Sequence, residues 1–325
     1  MKAMVRYAYG PPNVLELREI DIPEIADDEV LVRVHAAGVG RDVWHVLTGL
    51  PYPIRLAGYG FRAPNNPVIG SDVAGVVEAV GKNVSTFQPG DEVFGIGKGS
   101  YAEYVCARED KLAPKPVNLT FEQAAVVAIM GSTALQALRD HGKVRPGQEV
   151  LIIGASGGVG TYAVQIAKSF GAHVTGVCST QKVEMVRSIG ADHVIDYTQE
   201  DFAEGDKGYD LIVDIGGNSS LARLRRALVS RGTLVITGGE GGGRWLGGTD
   251  RQLRAMMLSP FVGQKLGTFV NKENYEDLMV LGELIASGKI TPLIDRTYPL
   301  AEVPEAIRYL EAGHARGKVL ISVLG

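Results

Sequence analysis

Only two cysteines, Cys106 and Cys178, occur in 325 residues, too few for a disulfide framework. Cys178 falls inside an apolar segment that reads as a buried strand, and both thiols read as plain core residues. No apolar run is long enough to cross a bilayer. The most apolar stretch, AAVVAIMGSTALQAL at 124 to 138, is broken by Gly131, Ser132, Thr133 and Gln136. The opening MKAMVRYAYG has no apolar h-region, which predicts a cytoplasmic protein. Neither sign of charge dominates: 33 Lys and Arg stand against 37 Asp and Glu, a net charge of −4. The basic residues are scattered rather than striped, which argues against a nucleic-acid partner. No internal repeat is visible, and the Gly-rich EGGGRWLGG at 240 to 248 reads as a flexible surface loop.

What is present points to two domains. The length exceeds the usual size of one core, and 45% hydrophobic residues suffice to bury a sizeable one. At 150 to 160, VLIIGASGGVG runs from an apolar strand into a cluster of glycines, and TYAVQIAKSFG continues with helical spacing. Such a strand, turn and helix bind phosphate: Gly157 and Gly160 allow close approach of the backbone, and the unpaired N–H groups and dipole of the helix start favour negative charge. The turn residues Ser156, Gly157, Gly158 and Val159 are therefore candidates to hold a dinucleotide. Pro146 and Gly147 make a turn before the strand, Gly171 suits the helix C-terminus, and HVTGVCS at 173 to 179 completes a βαβ unit. The alternation continues through a helix-like KVEMVRSIG, strands HVIDY, YDLIVDIGG and GTLVITGG, and a helix from Leu221 to Val229. This predicts a doubly wound, mostly parallel sheet over 126 to 270. Gly154, Ser179, Tyr197, Gly216 and Gly238 all fall at strand C-termini, where such sheets bind ligands.

Residues 1 to 125 differ. Short alternating segments such as EVLVRVHAAGV, AGVVEAV and DEVFGIG, separated by Gly, Pro and Asp, predict a β-rich, partly barrel-like domain. The tail KVLISV at 318 to 323 is a strand with no helix after it. It is expected to return to the first domain, so that 271 to 325 rejoins it and the two domains enclose a cleft.

The chain resembles the medium-chain dehydrogenase/reductase superfamily. VIGSDVAGVVEAVG at 68 to 81, PGDEVFG at 89 to 95, AEYV at 102 to 105, GASGGVGTYAVQIAK at 154 to 168 and GADHVIDY at 190 to 197 carry the resemblance. It covers essentially the whole chain and implies a GroES-like domain followed by a Rossmann domain. Within the superfamily it is similar to the zinc-free quinone oxidoreductases and the reticulon-interacting oxidoreductase-like group, to which GHARGKVLI also points.

Zinc-dependent relatives have a Cys at the position of Gly40 and a His at that of Ser71, and neither residue here can ligate a metal. Their lobe of four closely spaced cysteines is also missing, and the lone His45 reads as a packing or surface residue, so no metal is expected. An enzyme using NAD places Asp or Glu at the end of the second strand. This chain has Ser179, Thr180 and Lys182 there, groups that suit a 2′-phosphate, which predicts NADPH. The competing reading makes Ser179 and Thr180 helix caps.

By resemblance, Tyr197 flanks the adenosine, Thr133, Gly238 and Gly239 lie along the cofactor, and His314, Ala315 and Arg316 close over it. Tyr197 reads equally as a strand-end core aromatic and Arg316 as a solvated tail residue. The loop DVWHVLTGLPYP borders the substrate, offering Tyr52 as a hydroxyl and Asp42 as a positioning or proton-handling group; a packing role for Tyr52 and a cap role for Asp42 compete. Relatives often carry Asn where this chain has Gly40. With no metal and no conspicuous nucleophile, the expected activity is hydride transfer to quinones or α,β-unsaturated carbonyls. The alternatives are a non-catalytic NADPH-binding sensor or interaction protein, and an enoyl-thioester reductase, which needs basic residues at the cleft mouth for its carrier's phosphates, a reading that Arg244, Arg251 and Arg254 leave open. Leu253, Met256, Met257 and Leu258 form an apolar stripe that reads as a substrate entrance, or as core or subunit interface. KLGTFV reads as a sheet edge, which in relatives pairs across a twofold axis, implying a homodimer.

Overall fold

The computed structural model describes residues 1–204, 208–239 and 243–324. Its contacts divide the chain into two compact units, one of Met1–Ser132 with Lys272–Gly325, the other of Thr133–Asn271.

The first unit opens with a two-stranded antiparallel pair, β1 (Lys2–Val5) and β2 (Glu16–Glu19). Then come β3 (Glu29–Val39), β4 (Asp72–Val80), β5 (Glu92–Ile96), β6 (Tyr104–Arg108) and β7 (Leu112–Pro114). Apolar residues alternate inward along these strands, and Val30, Val32, Val34, Val73, Val77, Val93 and Val105 share one core.

The second unit contributes β8 (Glu149–Ile153), β9 (His173–Cys178), β10 (His193–Asp196), β11 (Tyr209–Asp214), β12 (Leu228–Ile236) and β13 (Lys265–Thr268). They form one sheet in the order β10-β9-β8-β11-β12-β13, and every pair is parallel. β8 and β11 are buried almost throughout, as both faces of a parallel sheet must be. The order reverses between β8 and β11, the switch point where such sheets bind ligands. The helix Gly158–Ser169 follows β8 and buries every residue from Gly160 to Ala167.

After the second unit the chain returns to the first. β14 (Ile294–Pro299) and β15 (Lys318–Ser322) complete a seven-stranded sheet in the order β14-β15-β3-β4-β5-β7, with β6 also paired to β3. β15 runs antiparallel to β3 and parallel to β14, so the tail is an interior strand of this sheet, as expected from a strand with no helix after it.

Three local expectations change. The helix expected over Leu221 to Val229 ends at Ala227, because Leu228 already pairs with Tyr209 in the sheet. In the Gly-rich stretch expected to be a loop, Gly243–Leu246 forms a helical turn, while residues 240–242 lie outside the described residues. Among the stripe residues, Leu253, Met256 and Met257 are exposed rather than core, and Leu258 alone packs against the core of its unit.

Candidate functional site

The ends of the parallel strands gather most of the expected cofactor residues. Ser156, Gly157, Gly158 and Val159 follow β8, Ser179, Thr180 and Lys182 follow β9, Tyr197 follows β10, Gly216 follows β11, and Gly238 and Gly239 follow β12. Because all these strands are parallel, their C-terminal ends lie along one edge of the sheet. Gly154 and Gly216 meet at the switch point: the Gly216 N–H donates to the Ile153 carbonyl at 3.0 Å.

Two glycines in the turn have different physical reasons. A Cβ on Gly160 would collide with the Gly154 carbonyl oxygen and lie 2.7 Å from the Ala155 carbonyl carbon, so close packing of helix on strand excludes any side chain. A Cβ on Gly157 would meet only the Gly154 oxygen at 3.5 Å. The fold does not demand glycine there; the open space suits an approaching ligand. Gly157 is the N-cap of the helix Gly158–Ser169, with no side-chain cap and no acidic residue in the first turn, so the helix start presents unneutralised N–H groups.

At the end of β9, Ser179 is the N-cap of the next helical turn, but its side chain makes no capping hydrogen bond. The Thr180 hydroxyl lies 3.0 Å from that of Thr198. With Thr198 and Gln199, it also holds the carboxyl of Asp196 below the usual carboxylate range. Asp196 is thereby occupied: Oδ1 accepts from the Thr198 N–H at 3.0 Å and its hydroxyl at 2.7 Å, and Oδ2 accepts from the Gln199 amide at 2.9 Å. Tyr197 is 60% exposed, not a core aromatic.

Sequence reasoning missed the ion pair that ties β11 to β12. Asp214 is fully buried and Arg251 bonds its Oδ2, while the same guanidinium donates to the Ser219 carbonyl at 2.8 Å and the Gly238 carbonyl at 3.0 Å. Burial raises the Asp214 carboxyl above its ordinary value against the opposing pull of Arg251. Arg251 is thus committed to a structural role, which takes it out of the carrier-phosphate role left open for it. Arg254 pairs with Asp250 at 3.1 Å.

Thr133 lies in the helix Ala128–Gln136 at the start of the second unit. The other expected residues belong to the first unit. His314 and Arg316 are exposed and Ala315 is buried, in the turn before β15. Tyr52 is half-buried, and the Arg55 guanidinium stacks on it at 5.0 Å and on Tyr9 at 4.4 Å. The Tyr9 hydroxyl in turn donates to the Tyr59 and Gly60 carbonyls at 2.8 and 2.6 Å, fastening the loop.

Asp42 sits in the first turn of the helix Arg41–Thr48, whose N-cap is Gly40. Its Oδ1 is buried without a hydrogen-bond partner. Burial first, and then the carboxylate of Asp72, push its pKa up to about 6, against Lys318 and the backbone N–H groups of Asp42 and Val43. Asp72 and Lys318 are each 2% exposed; Lys318 Nζ lies 3.0 Å from Asp72 Oδ2, and the Ile129 N–H donates to Asp72 Oδ1 at 2.9 Å. Tyr101, whose hydroxyl donates to the Gly38 carbonyl at 3.0 Å, is raised well above its ordinary pKa by burial and by Asp42 and Asp72. Asp72, Lys318, Tyr59 and Tyr101 were not expected at the site. The available signal was a single charge at the head of an apolar strand, in DVAGVV and in KVLIS.

The residues present do not fit a zinc site. The space a Gly40 side chain would need holds Asp42 Oδ1 and the Met130 methyl, and Ser71 offers no suitable ligand. Among the described residues no three His, Cys, Asp or Glu side chains gather as a metal would require. His45 Nδ1 lies 2.7 Å from the Leu50 carbonyl. No helix is long and apolar enough to cross a membrane among the described residues.

Comparison with known proteins matches residues 26–117 to the alcohol dehydrogenase GroES-like domain and residues 189–321 to the zinc-binding dehydrogenase family. The NAD(P)H oxidoreductase RTN4IP1, mitochondrial, of Mus musculus is 35% identical over 100% of this chain and 89% of its own length. The NADPH-dependent alkenal/one oxidoreductase, chloroplastic, of Arabidopsis thaliana is 35% identical over 99% of this chain and 79% of its own. The structure of the quinone oxidoreductase from Coxiella burnetii superposes with a TM-score of 0.88 at 31% identity, covering 99% of both chains. The chain belongs to the medium-chain dehydrogenase/reductase superfamily, in its quinone oxidoreductase-like branch.

Proposed function

We propose that the protein is an NADPH-dependent, zinc-independent reductase that delivers hydride to quinones or α,β-unsaturated carbonyls. The observation that carries this reading is the gathering, at the C-terminal edge of one parallel sheet, of a glycine turn with an uncapped helix start and the Ser179, Thr180 and Lys182 trio. The relatives whose names state NADPH, alkenals or quinones support it.

In this reading Ser156, Gly157, Gly158 and Val159 hold the pyrophosphate by their backbone. Ser179 and Lys182 meet the 2′-phosphate, joined by Thr180 once its hydroxyl leaves Thr198. Tyr197 covers the adenosine. Thr133, Gly216, Gly238 and Gly239 line the rest, with His314, Ala315 and Arg316 closing over the cofactor. Bound there, NADPH supplies the hydride. The chain's own groups need only orient the acceptor, exclude water and stabilise the oxygen on which charge develops, roles we assign to Tyr52 and Asp42.

Titration of both cofactors by protein fluorescence tests the preference: NADPH binds more tightly than NADH, and equal or tighter NADH binding overturns it. Lys182→Ala removes a charge-assisted phosphate contact worth roughly 1.5 to 3 kcal/mol, about ten- to a hundredfold in NADPH affinity, and leaves NADH binding unchanged. Elemental analysis should find no stoichiometric zinc. Turnover is tested by NADPH consumption over a panel of quinones, enones and simple alcohols; the first two are reduced, and alcohols are not oxidised with NADP⁺. Gly40, which offers no polar side chain to a substrate oxygen, favours one second reading, a non-catalytic NADPH-binding sensor. Tight NADPH binding with no turnover on the whole panel would establish it.

The exposed edge strand β13 is further proposed to pair with a second copy of the chain, and the cytoplasm is the proposed compartment, with mitochondria the competing outcome of a cell fractionation.

A further inference from the structure

The buried cluster in the first unit holds two carboxyl groups and one ammonium: Asp42, Asp72 and Lys318. With all three ionised it carries one uncompensated negative charge away from water, an expensive arrangement. Lys318 is committed to Asp72 at 3.0 Å, and Asp72 is further held by the Ile129 N–H. Asp42 lies outside this pair, with Oδ1 buried and unpartnered. A proton placed on Asp42 makes the cluster neutral.

The other titratable groups facing it are the phenols of Tyr59 and Tyr101, both raised above their ordinary value with Asp42 among the causes; they stay protonated and supply no counter-charge. No side chain at Gly40 shields the carboxyl, which packs over that α-carbon instead. A neutral carboxylic acid whose Oδ1 has no hydrogen-bond partner is equipped to donate to an incoming acceptor oxygen.

We propose that Asp42 is the proton donor of the reduction, held as a neutral acid by its burial beside the Asp72 carboxylate, whose own position the Lys318 ammonium fixes. This rests on the reductase reading above. Hydride addition leaves the acceptor as an enolate or a quinol monoanion. The Asp42 O–H bond breaks, a new bond from that proton to the acceptor carbon or oxygen forms, the electron pair remains on the carboxylate, and a water proton restores the acid before the next turnover.

Two measurements test it. Infrared difference spectroscopy of the protein without cofactor should show a carboxylic acid band that disappears as pH rises through about 6 and is missing in Asp42→Asn. In steady-state kinetics, kcat should fall as pH rises above the same value, while Asp42→Asn lowers kcat about a hundredfold, flattens the profile and leaves NADPH binding unchanged. Asp72→Asn should move the titration to lower pH and Lys318→Met to higher pH. Should either single variant fail to fold, the double variant Asp72→Asn/Lys318→Met, which leaves no unpaired buried charge, should move the titration to lower pH by less than Asp72→Asn alone, because Asp72 raises the Asp42 pKa by more than Lys318 lowers it. An Asp42→Asn enzyme that matches the parent in rate and pH profile, or a parent lacking the band at low pH, overturns the role of Asp42 alone. A parent that reduces no quinone or enone overturns the reductase reading, and this role with it.

Discussion

At the residue scale, the glycine turn after β8 separates what the fold requires from what the proposed ligand requires. Gly160→Ala forces a Cβ into backbone atoms and should destabilise the second unit by roughly 1 to 3 kcal/mol or more, read as a lower denaturation midpoint. Gly157→Ala has room; it should cost under about 1 kcal/mol yet weaken NADPH binding if, as proposed, that space takes the pyrophosphate. Equal effects on stability from the two variants would contradict this division. Asp42 gives a second residue-scale prediction. Its folded pKa of about 6 stands above the model-peptide value of 3.8, so the folded state binds the proton more tightly than the unfolded chain. Stability is greatest below the unfolded value and is lost as pH rises through about 6, by no more than about 3 kcal/mol. Asp42→Asn should remove that slope from a denaturation series across the same range.

At the element scale, the ends of β11 and β12 are fastened by Arg251, which reaches Asp214, Ser219 and Gly238 at once. The pair itself adds little net stability, since both groups lose water, but breaking it strands a buried charge. Arg251→Met should therefore destabilise by about 3 to 5 kcal/mol, and the double variant Asp214→Asn/Arg251→Met should recover part of that loss. If the double variant is no better than the single, the cost lies in the lost carbonyl contacts rather than in the orphaned carboxylate. β13 is an edge in the described sheet, and an unpaired edge invites strand addition. Light scattering should accordingly give a mass near double the 34.7 kDa of one chain; the single-chain mass would refute the proposed dimer.

At the scale of the whole molecule, the first unit is closed by residues far apart in the chain. β15 lies between β14 and β3, and Lys318 at its head neutralises Asp72 at the head of β4 across 246 positions. Removal of β15 strips the pairing of β3 over Ala36–Val39 and leaves Asp72 buried without its cation. Truncation before Lys318 should abolish the folding of the first unit, seen as loss of its cooperative unfolding transition. The second unit, Thr133–Asn271, contains its own complete sheet and core, so its transition should persist.

Local patterns were enough to read the parallel sheet, the glycine turn and the return of the tail, because each depends on periodicity and turn chemistry within a few residues: apolar strands, GASGGVG, and KVLISV with no helix after it. The end of the helix at Ala227 was not legible, since Leu228 suits helix and strand alike and the register with Tyr209 decides it. The exposure of Tyr197, the commitment of Thr180 to Thr198 and Asp196, and the role of Arg251 depend on neighbours from other strands. The same holds for Asp42, whose spacing in the sequence says nothing of its charge. Its protonation depends on burial and on Asp72 and Lys318, groups brought together only when the final strand enters the sheet, because electrostatic energy follows distance through space and loss of water rather than position along the chain.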